Sequence, residues 1–391
     1  MFRTAFTTAG GRIQSFELKE YESDAHDGEA LEMVVADGLL PLGVYWLDEG
    51  GNVVGDQDVD YRIEVERPAG AGSTVVRLTG TAAPGLTIEK TLTLHDGSYL
   101  LDYTVVVGGE ATDREVGVAW ARAVHEGRSR FSGKEGPVAL LADKLHAENA
   151  ASMKEPVLLD GEVAWAGYAD HYFLAAYIPD EPVRARFVGA ASGGVGEATL
   201  WARAPGGRVQ YSLFVGPKRL DLLGSVGHGL ERSVDFGWFA FVARPLLGLL
   251  IFLYSFTGNY GWSIVLLTVG IRIVFYPINK RQAEAMKAMQ RIQPELKKLQ
   301  EKYKDDRERL NREMMELYRR HKVNPLSGCL PMLVQLPVFF GLYRALMEAI
   351  ELRHAPFIGW ITDLSQPDRL GSLAIPFVSP PGIPVLTLLM G

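Results

Sequence analysis

The chain has a single cysteine, Cys329, in 391 residues, so an internal disulfide is excluded. The opening stretch Met1–Phe16 has no apolar core of signal-peptide length, and so provides no export signal of its own. Histidines are few and scattered. His95, His125, His146 and His171 show no metal-ligand spacing, and no nucleotide-binding motif appears, so no cofactor and no metal are expected. Basic charge is scarce in the front half. Residues 1–236 hold 21 Lys+Arg against 35 Asp+Glu, a net of −14, while residues 237–391 hold 19 against 12, a net of +7. The acidic balance argues against nucleic acid as a partner of the front half.

What the front half has is alternation. Leu86–Leu94 and Tyr61–Glu66 largely alternate apolar and polar residues, the mark of strands with one buried face. Similar runs are Ser73–Thr79, Tyr99–Val107, Glu115–Ala121, Val163–Tyr168, Tyr172–Ile178, Val183–Val188, Ala198–Ala202 and Arg208–Val215. Turn signals such as Asp96-Gly97, Asp160-Gly161 and Pro205-Gly206-Gly207 separate them. Residues 1–235 therefore read as one large antiparallel β-sandwich. Glu89 and Glu115 take solvated strand positions. Trp120, Trp165 and Trp201 suit the core better than a sugar-binding cleft. Pro217–Phe236 reads as a mostly helical connector, with Leu220, Leu223, Val226 and Leu230 at roughly helical spacing.

The back half changes solvent. Trp262–Ile278 is apolar apart from Ser263, Thr268 and Arg272, and about 20 apolar residues span a bilayer core. A guanidinium inside such a run costs ~2.5 kcal/mol or more. Either it snorkels to the headgroups or it marks a functional site. Phe236–Phe256 is also apolar, interrupted by Arg244 and Pro245, and reads either as a span or as an interfacial helix. Lys280–Lys322 carries 14 Lys/Arg against 8 Asp/Glu, which favours the cytoplasm. Two apolar stripes, Met286 to Leu299 and Leu310 to Tyr318, flank a Lys-Asp-Asp turn and suggest an antiparallel helical hairpin. Asp305 and Asp306 open its second arm, where the helix dipole favours acid. The hairpin is either a plain link between spans or a docking arm with exposed methionines. Cys329–Ile350 is a further span, with Gln335, Pro337 and Arg344 inside it, and Ser372–Met390 begins another apolar segment.

The stretches FGWFAF, RPL, SFTGNYGWSI, the Arg272–Pro277 motif, KVNPLSGCLPMLVQLPVFFGLYRAL and ELRHAPFIGWITDLS resemble the YidC/Oxa/Alb family of membrane protein insertases, almost without gaps through Phe236–Ser365. The front half is similar, more loosely, to the periplasmic β-supersandwich of bacterial members, a mutarotase-like fold, through GPKRLDLL and VDFGW. The resemblance implies a periplasmic domain at 1–235, an amphipathic interfacial helix at 236–256, a transmembrane helix at 260–279, a cytoplasmic hairpin at 280–323, a second span at 329–352, a periplasmic loop at 353–371 and the start of a third span at 372–391. It implies a Gram-negative inner-membrane, multi-pass protein that is not an enzyme. Arg272, Thr268 and Gln335 would line a water-filled groove open to cytosol and lipid, Leu336 and Phe339 would touch the client helix, and Asp305 and Asp306 would lie at the hairpin tip. The implied partners are nascent membrane proteins, the Sec translocon with its accessory subunits, the ribosome and the lipid bilayer, with no nucleic acid as substrate. The family's first transmembrane helix and its last spans have no counterpart here, so a fragment is expected. The competing expectation is a membrane-tethered carbohydrate-binding module or enzyme, which requires a His/Glu constellation in the sandwich.

Overall fold

The computed structural model describes residues 1–391 apart from 24–27, 35–38, 49, 69, 71, 110–112, 124–134, 181–182, 193–194, 305, 322–329, 369, 372–382, 384 and 386–391. The chain divides into two compact units, Met1–Asp235 and Phe236–Gly391.

In the first unit, β1 (Phe2–Thr7), β2 (Arg12–Glu22) and β3 (Ala30–Glu32) form a three-stranded sheet in that order. The remaining strands are β4 (Gly43–Leu47), β5 (Val53–Gly55), β6 (Tyr61–Glu66), β7 (Ser73–Ala83), β8 (Leu86–His95), β9 (Leu100–Val107), β10 (Asp113–Ala123), β11 (Gly136–Leu141), β12 (Lys144–Ala147), β13 (Val157–Ala169), β14 (Phe173–Ile178), β15 (Val183–Ser192), β16 (Val195–Pro205) and β17 (Arg208–Pro217). They build one 14-stranded sheet, ordered β5-β4-β10-β16-β15-β13-β14-β17-β9-β8-β7-β6, with β11 pairing both β12 and β13. Every pairing among the described residues is antiparallel. The two strands that end the path, β5 and β6, are consecutive in the chain. The sheet therefore curves enough for one short loop to join its end strands without pairing them, which gives the half-barrel sandwich that the alternating runs imply.

The core follows the alternation. Ile88 and Leu92 of β8, Tyr103 and Val105 of β9, and Leu213 and Val215 of β17 are fully buried. Trp120, Trp165 and Trp201 are buried too, so they pack the core rather than line a cleft. Truncating such a ring to alanine costs about 3–5 kcal/mol. The connector is α1 (Leu220–Val226) followed by a 3-10 turn at Leu230–Ser233. Leu223 and Leu230 are buried and Leu220 and Val226 half-buried, so its apolar stripe is used as the spacing suggests.

The second unit is helical: α2 (Ala240–Thr257), α3 (Tyr260–Lys302), α4 (Arg307–Arg320) and α5 (Leu330–Glu348), with a 3-10 turn at Ile350–Leu352. Sequence reading ends a span near residue 279 and starts a separate hairpin arm at Gln282. The structure instead runs one 43-residue helix through both, with Pro277 and Pro294 inside it. At 1.5 Å per residue that is about 65 Å, twice a bilayer core. Composition changes at Lys280, but Ala, Met, Lys, Gln and Glu all propagate a helix, so the composition changes and the element does not. Gly237–Thr257 and Tyr260–Lys302 are both long and apolar enough to cross a membrane.

Candidate functional site

A tight turn sets the arrangement of the membrane helices. Gly258 takes φ +62° after α2, a conformation glycine adopts without strain. Asn259 then caps α3, its Oδ1 accepting from Trp262 N at 3.2 Å. Its Nδ2 donates to the carbonyls of Pro356 and Phe357, both at 3.2 Å, which ties the turn to the loop after α5. Phe357 packs against Gly261, where any Cβ would collide with its ring. On the other side, α5 meets α2 at Gly341. A Cβ there would lie 2.8 Å from Val242, and Phe239 stacks on Phe340 at 5.4 Å.

The outward faces of these helices are apolar and uncovered. Phe241, Phe252 and Phe256 on α2, Val269, Ile273 and Val274 on α3, and Leu333, Phe339 and Phe340 on α5 are all exposed. Water would penalise so much contiguous apolar surface, and lipid would not.

The polar residues of interest break this surface. Thr268 and Arg272 are one turn apart on α3, both exposed. The Thr268 hydroxyl donates to Ile264 O at 2.8 Å, the way a hydroxyl in a membrane helix satisfies itself. Arg272 differs. Among the described residues its side chain has no ion pair and no hydrogen bond. Arg344, the arginine of α5, is held by Glu348 at 3.2 Å, four residues on. One helix thus neutralises its arginine and the other leaves five N–H donors facing outward. Arg272 lies about 18 Å along α3 from Tyr260. On α5, Gln335 is exposed with Leu336 and Phe339, and Gln335 and Phe339 share one stripe at i, i+4. No hydrogen bond joins Gln335 or Thr268 to Arg272 among the described residues. Each helix therefore presents its own polar stripe.

Asp306 has a local duty. Its Oδ1 accepts from Arg309 N at 3.0 Å and caps α4. Asp305 lies outside the described residues, as does almost all of 372–391.

Sequence reading missed a polar centre in the first unit. Asp56, fully buried, receives Arg12 Nη2 at 2.6 Å, Lys90 Nζ at 2.6 Å, Tyr61 OH at 2.9 Å and Val44 N at 3.1 Å. Lys90, also fully buried, further donates to the carbonyls of Gly10, Gly11 and Leu42 at 2.8, 3.0 and 2.7 Å. Burial pushes the Lys90 ammonium down to about 7 against the pull of Asp56, and Arg12 adds to the fall. The signal was present in the sequence: Lys90 occupies the apolar phase of β8 between Ile88 and Leu92. A second centre joins Arg122 Nη1 to Asp170 at 2.6 Å, with Lys218 Nζ on the Asp170 carbonyl at 2.6 Å. Among the described residues no group of His, Cys, Asp and Glu could hold a metal.

A large antiparallel sandwich, followed by helices with uncovered apolar faces and an unneutralised arginine, defines a membrane protein with a large domain outside the bilayer. Two family models match the chain along its length. One is described as YidC periplasmic domain, over residues 1–249, and the other as 60Kd inner membrane protein, over residues 252–391. The chain belongs to the YidC family of inner membrane proteins with a periplasmic domain. It is 37% identical to the membrane protein insertase YidC of Geobacter sulfurreducens, covering 94% of this chain and 71% of that protein. It is 38% identical to that of Pelobacter propionicus, covering 100% and 74%. A solved α-galactosidase, AgaA from Geobacillus stearothermophilus, shares 10% identity at a TM-score of 0.30, over 49% of this chain and 33% of its own, too distant to bear on the fold.

Proposed function

We propose that the chain is a membrane protein insertase that works by binding and partition, with no covalent step. Arg272, Thr268 and Gln335 give a client a polar surface inside the bilayer. A short acidic or polar tail entering from the cytosol is drawn to Arg272 and escapes part of the cost of burying unpaired polar groups in hydrocarbon. The client's apolar helix meanwhile lies along Leu336 and Phe339 and passes into lipid.

The observation that carries this reading is the contrast between the two intramembrane arginines. A purely structural arginine is paired, as Arg344 is by Glu348. Arg272 has no protein partner among the described residues and so is available to a ligand; Arg244 of α2 is exposed and without a protein partner among them too, but it lies on the helix assigned here to the interface, where a guanidinium reaches the headgroups. The relatives named membrane protein insertase YidC support the same reading. In this arrangement residues 1–235 face the periplasm, 236–256 lie in the interface, 260–279 and 329–352 cross the membrane, and 280–323 project into the cytosol. The hairpin, with its 14 Lys/Arg, is the surface for the ribosome, and the Sec translocon joins the same client path. The sugar-module alternative gains nothing from Trp120, Trp165 and Trp201, which lie in the core and line no cleft.

Site-specific photo-cross-linking tests the path. A probe at Thr268, Gln335 or Phe339 should capture a client arrested during insertion. A probe at Phe252, exposed on α2, should not. Equal capture at all four would mean that the helices meet clients without a defined path.

A further inference from the structure

The strand that closes the large sheet carries an interaction surface of its own. β6 pairs with β7 on one side only, in the register Tyr61↔Gly80, Ile63↔Leu78 and Val65↔Val76. Its other side begins as a strand pairing. Tyr61 N donates to Thr8 O at 2.8 Å, Gly10 N donates to Val59 O at 2.8 Å, and Ala9 forms an antiparallel bridge with Asp60. Towards Ile63 the chain runs back from Thr8 into β1, which pairs with β2 instead. Backbone groups on a strand alternate in direction, so the N–H and C=O of Ile63 and Val65 point the same way as those of Tyr61. Among the described residues nothing pairs with them.

The side chains are also incomplete on this side. Tyr61, Ile63 and Val65 form the apolar face, beside the buried Val76 and Leu78 of β7, yet Val65 is 63% exposed. The alternate face carries Arg62, Glu64 and Glu66, with Asp58 and Asp60 in the turn before it. Natural sheets blunt such edges with proline, bulges or charges pointing inward. β6 has no proline and its register with β7 is regular; the one such device it carries is charge, on the solvent face, where Arg62 meets Glu64 at 3.1 Å and Glu66 has no ion pair among the described residues. A cleft of about 610 Å³, lined by Trp46, Asp58, Asp60, Arg62 and Thr79 among others, lies at the start of the strand and does not reach Ile63 or Val65.

We propose that the outer edge of β6 is a strand-addition site for an extended polypeptide that alternates apolar residues with Lys or Arg. Main-chain bonds to Ile63 and Val65 provide the attachment, in line with the Ala9–Asp60 bridge. The apolar residues of the ligand cover Val65, and its basic residues stand opposite Glu64 and Glu66, where the edge is acidic. Cross-strand pairs of both kinds favour an added strand. This site is independent of Arg272 and of the membrane helices.

The test uses the whole chain in lipid nanodiscs and a fluorescent hexapeptide of alternating Val and Lys, followed by anisotropy. Three probes discriminate: the Val/Lys peptide, the same peptide N-methylated at alternate amides, and a Val/Glu peptide. The expected result is binding of the first, at least tenfold weaker binding of the other two, and slowed amide exchange at Ile63 and Val65 when the first is bound. Ile63→Pro, which removes an outward N–H that makes no ladder bond and suits an edge strand, should weaken binding at least tenfold. Equal binding of the N-methylated peptide, unchanged exchange at Ile63 and Val65 in the native chain, or a dimer formed through this edge that excludes the peptide would each overturn the proposal.

Discussion

Two arginines and one lysine carry most of the meaning at the level of single residues. Arg272 and Arg344 have the same chemistry in the same solvent, but Glu348 quenches only the second. Replacing Glu348 with Gln should therefore destabilise the helical unit by removing the carboxylate charge that faces Arg344, as thermal unfolding in detergent would register. Lys90 makes a prediction in pH. Its folded value, about 7, lies below the unfolded value of 10.5, so between those limits the unfolded chain binds more protons. Stability of the sandwich should then rise as pH goes from 7 towards 10, and this rise should vanish in Lys90→Met. Asp170 has the same sense in a lower pH window. Burial alone would raise it, but Arg122, Lys218 and the amides of Phe173 and Tyr172 outweigh that and hold its carboxyl below the usual 3.8. Its contribution is present above that value and is lost as pH falls below it, so unfolding on acidification should come earlier in Arg122→Met than in the native chain. Circular dichroism melts across pH test both.

At the level of elements, close approaches rather than propensities position the helices. Gly341→Leu would place side-chain atoms where Val242 already stands, driving α5 from α2. It should lower the unfolding temperature of the helical unit while leaving the sandwich intact. Asp306 separates a cap from a functional acid. Asp306→Ser keeps an N-cap oxygen and should be neutral in both stability and insertion, whereas Asp306→Ala should cost about 1 kcal/mol of helix stability. A loss of insertion in Asp306→Ser would show that the carboxylate itself is needed. The strands were legible because alternation needs only local sequence: Leu86–Leu94 and Tyr61–Glu66 appear as β8 and β6. What stayed hidden was long-range. Nothing near Asp56 shows that Arg12, Val44, Tyr61 and Lys90, spread over nearly eighty residues, converge on it, although a lysine in the apolar phase of β8 hinted at a buried partner. The length of α3 was hidden for another reason, since the change from apolar to charged residues at Lys280 resembles an element boundary in composition while the backbone continues unbroken.

For the whole molecule, the family membership and the geometry converge on one division of labour. The sandwich is an acidic body, and the helical unit presents an apolar surface on which Arg272 is exposed with no side-chain partner among the described residues. Insertion on this scheme is governed by electrostatics at a single point and by lipid exposure everywhere else. The most direct measurement is insertion of two clients by the purified protein in liposomes, one with an acidic translocated tail and one with the same tail neutralised, using native protein, Arg272→Ala and Arg272→Lys. The native protein should insert the acidic-tailed client, Arg272→Ala should lose at least tenfold of that activity, Arg272→Lys should retain most of it, and the neutral-tailed client should be affected far less. Undiminished insertion of the acidic-tailed client by Arg272→Ala would contradict the role assigned to Arg272.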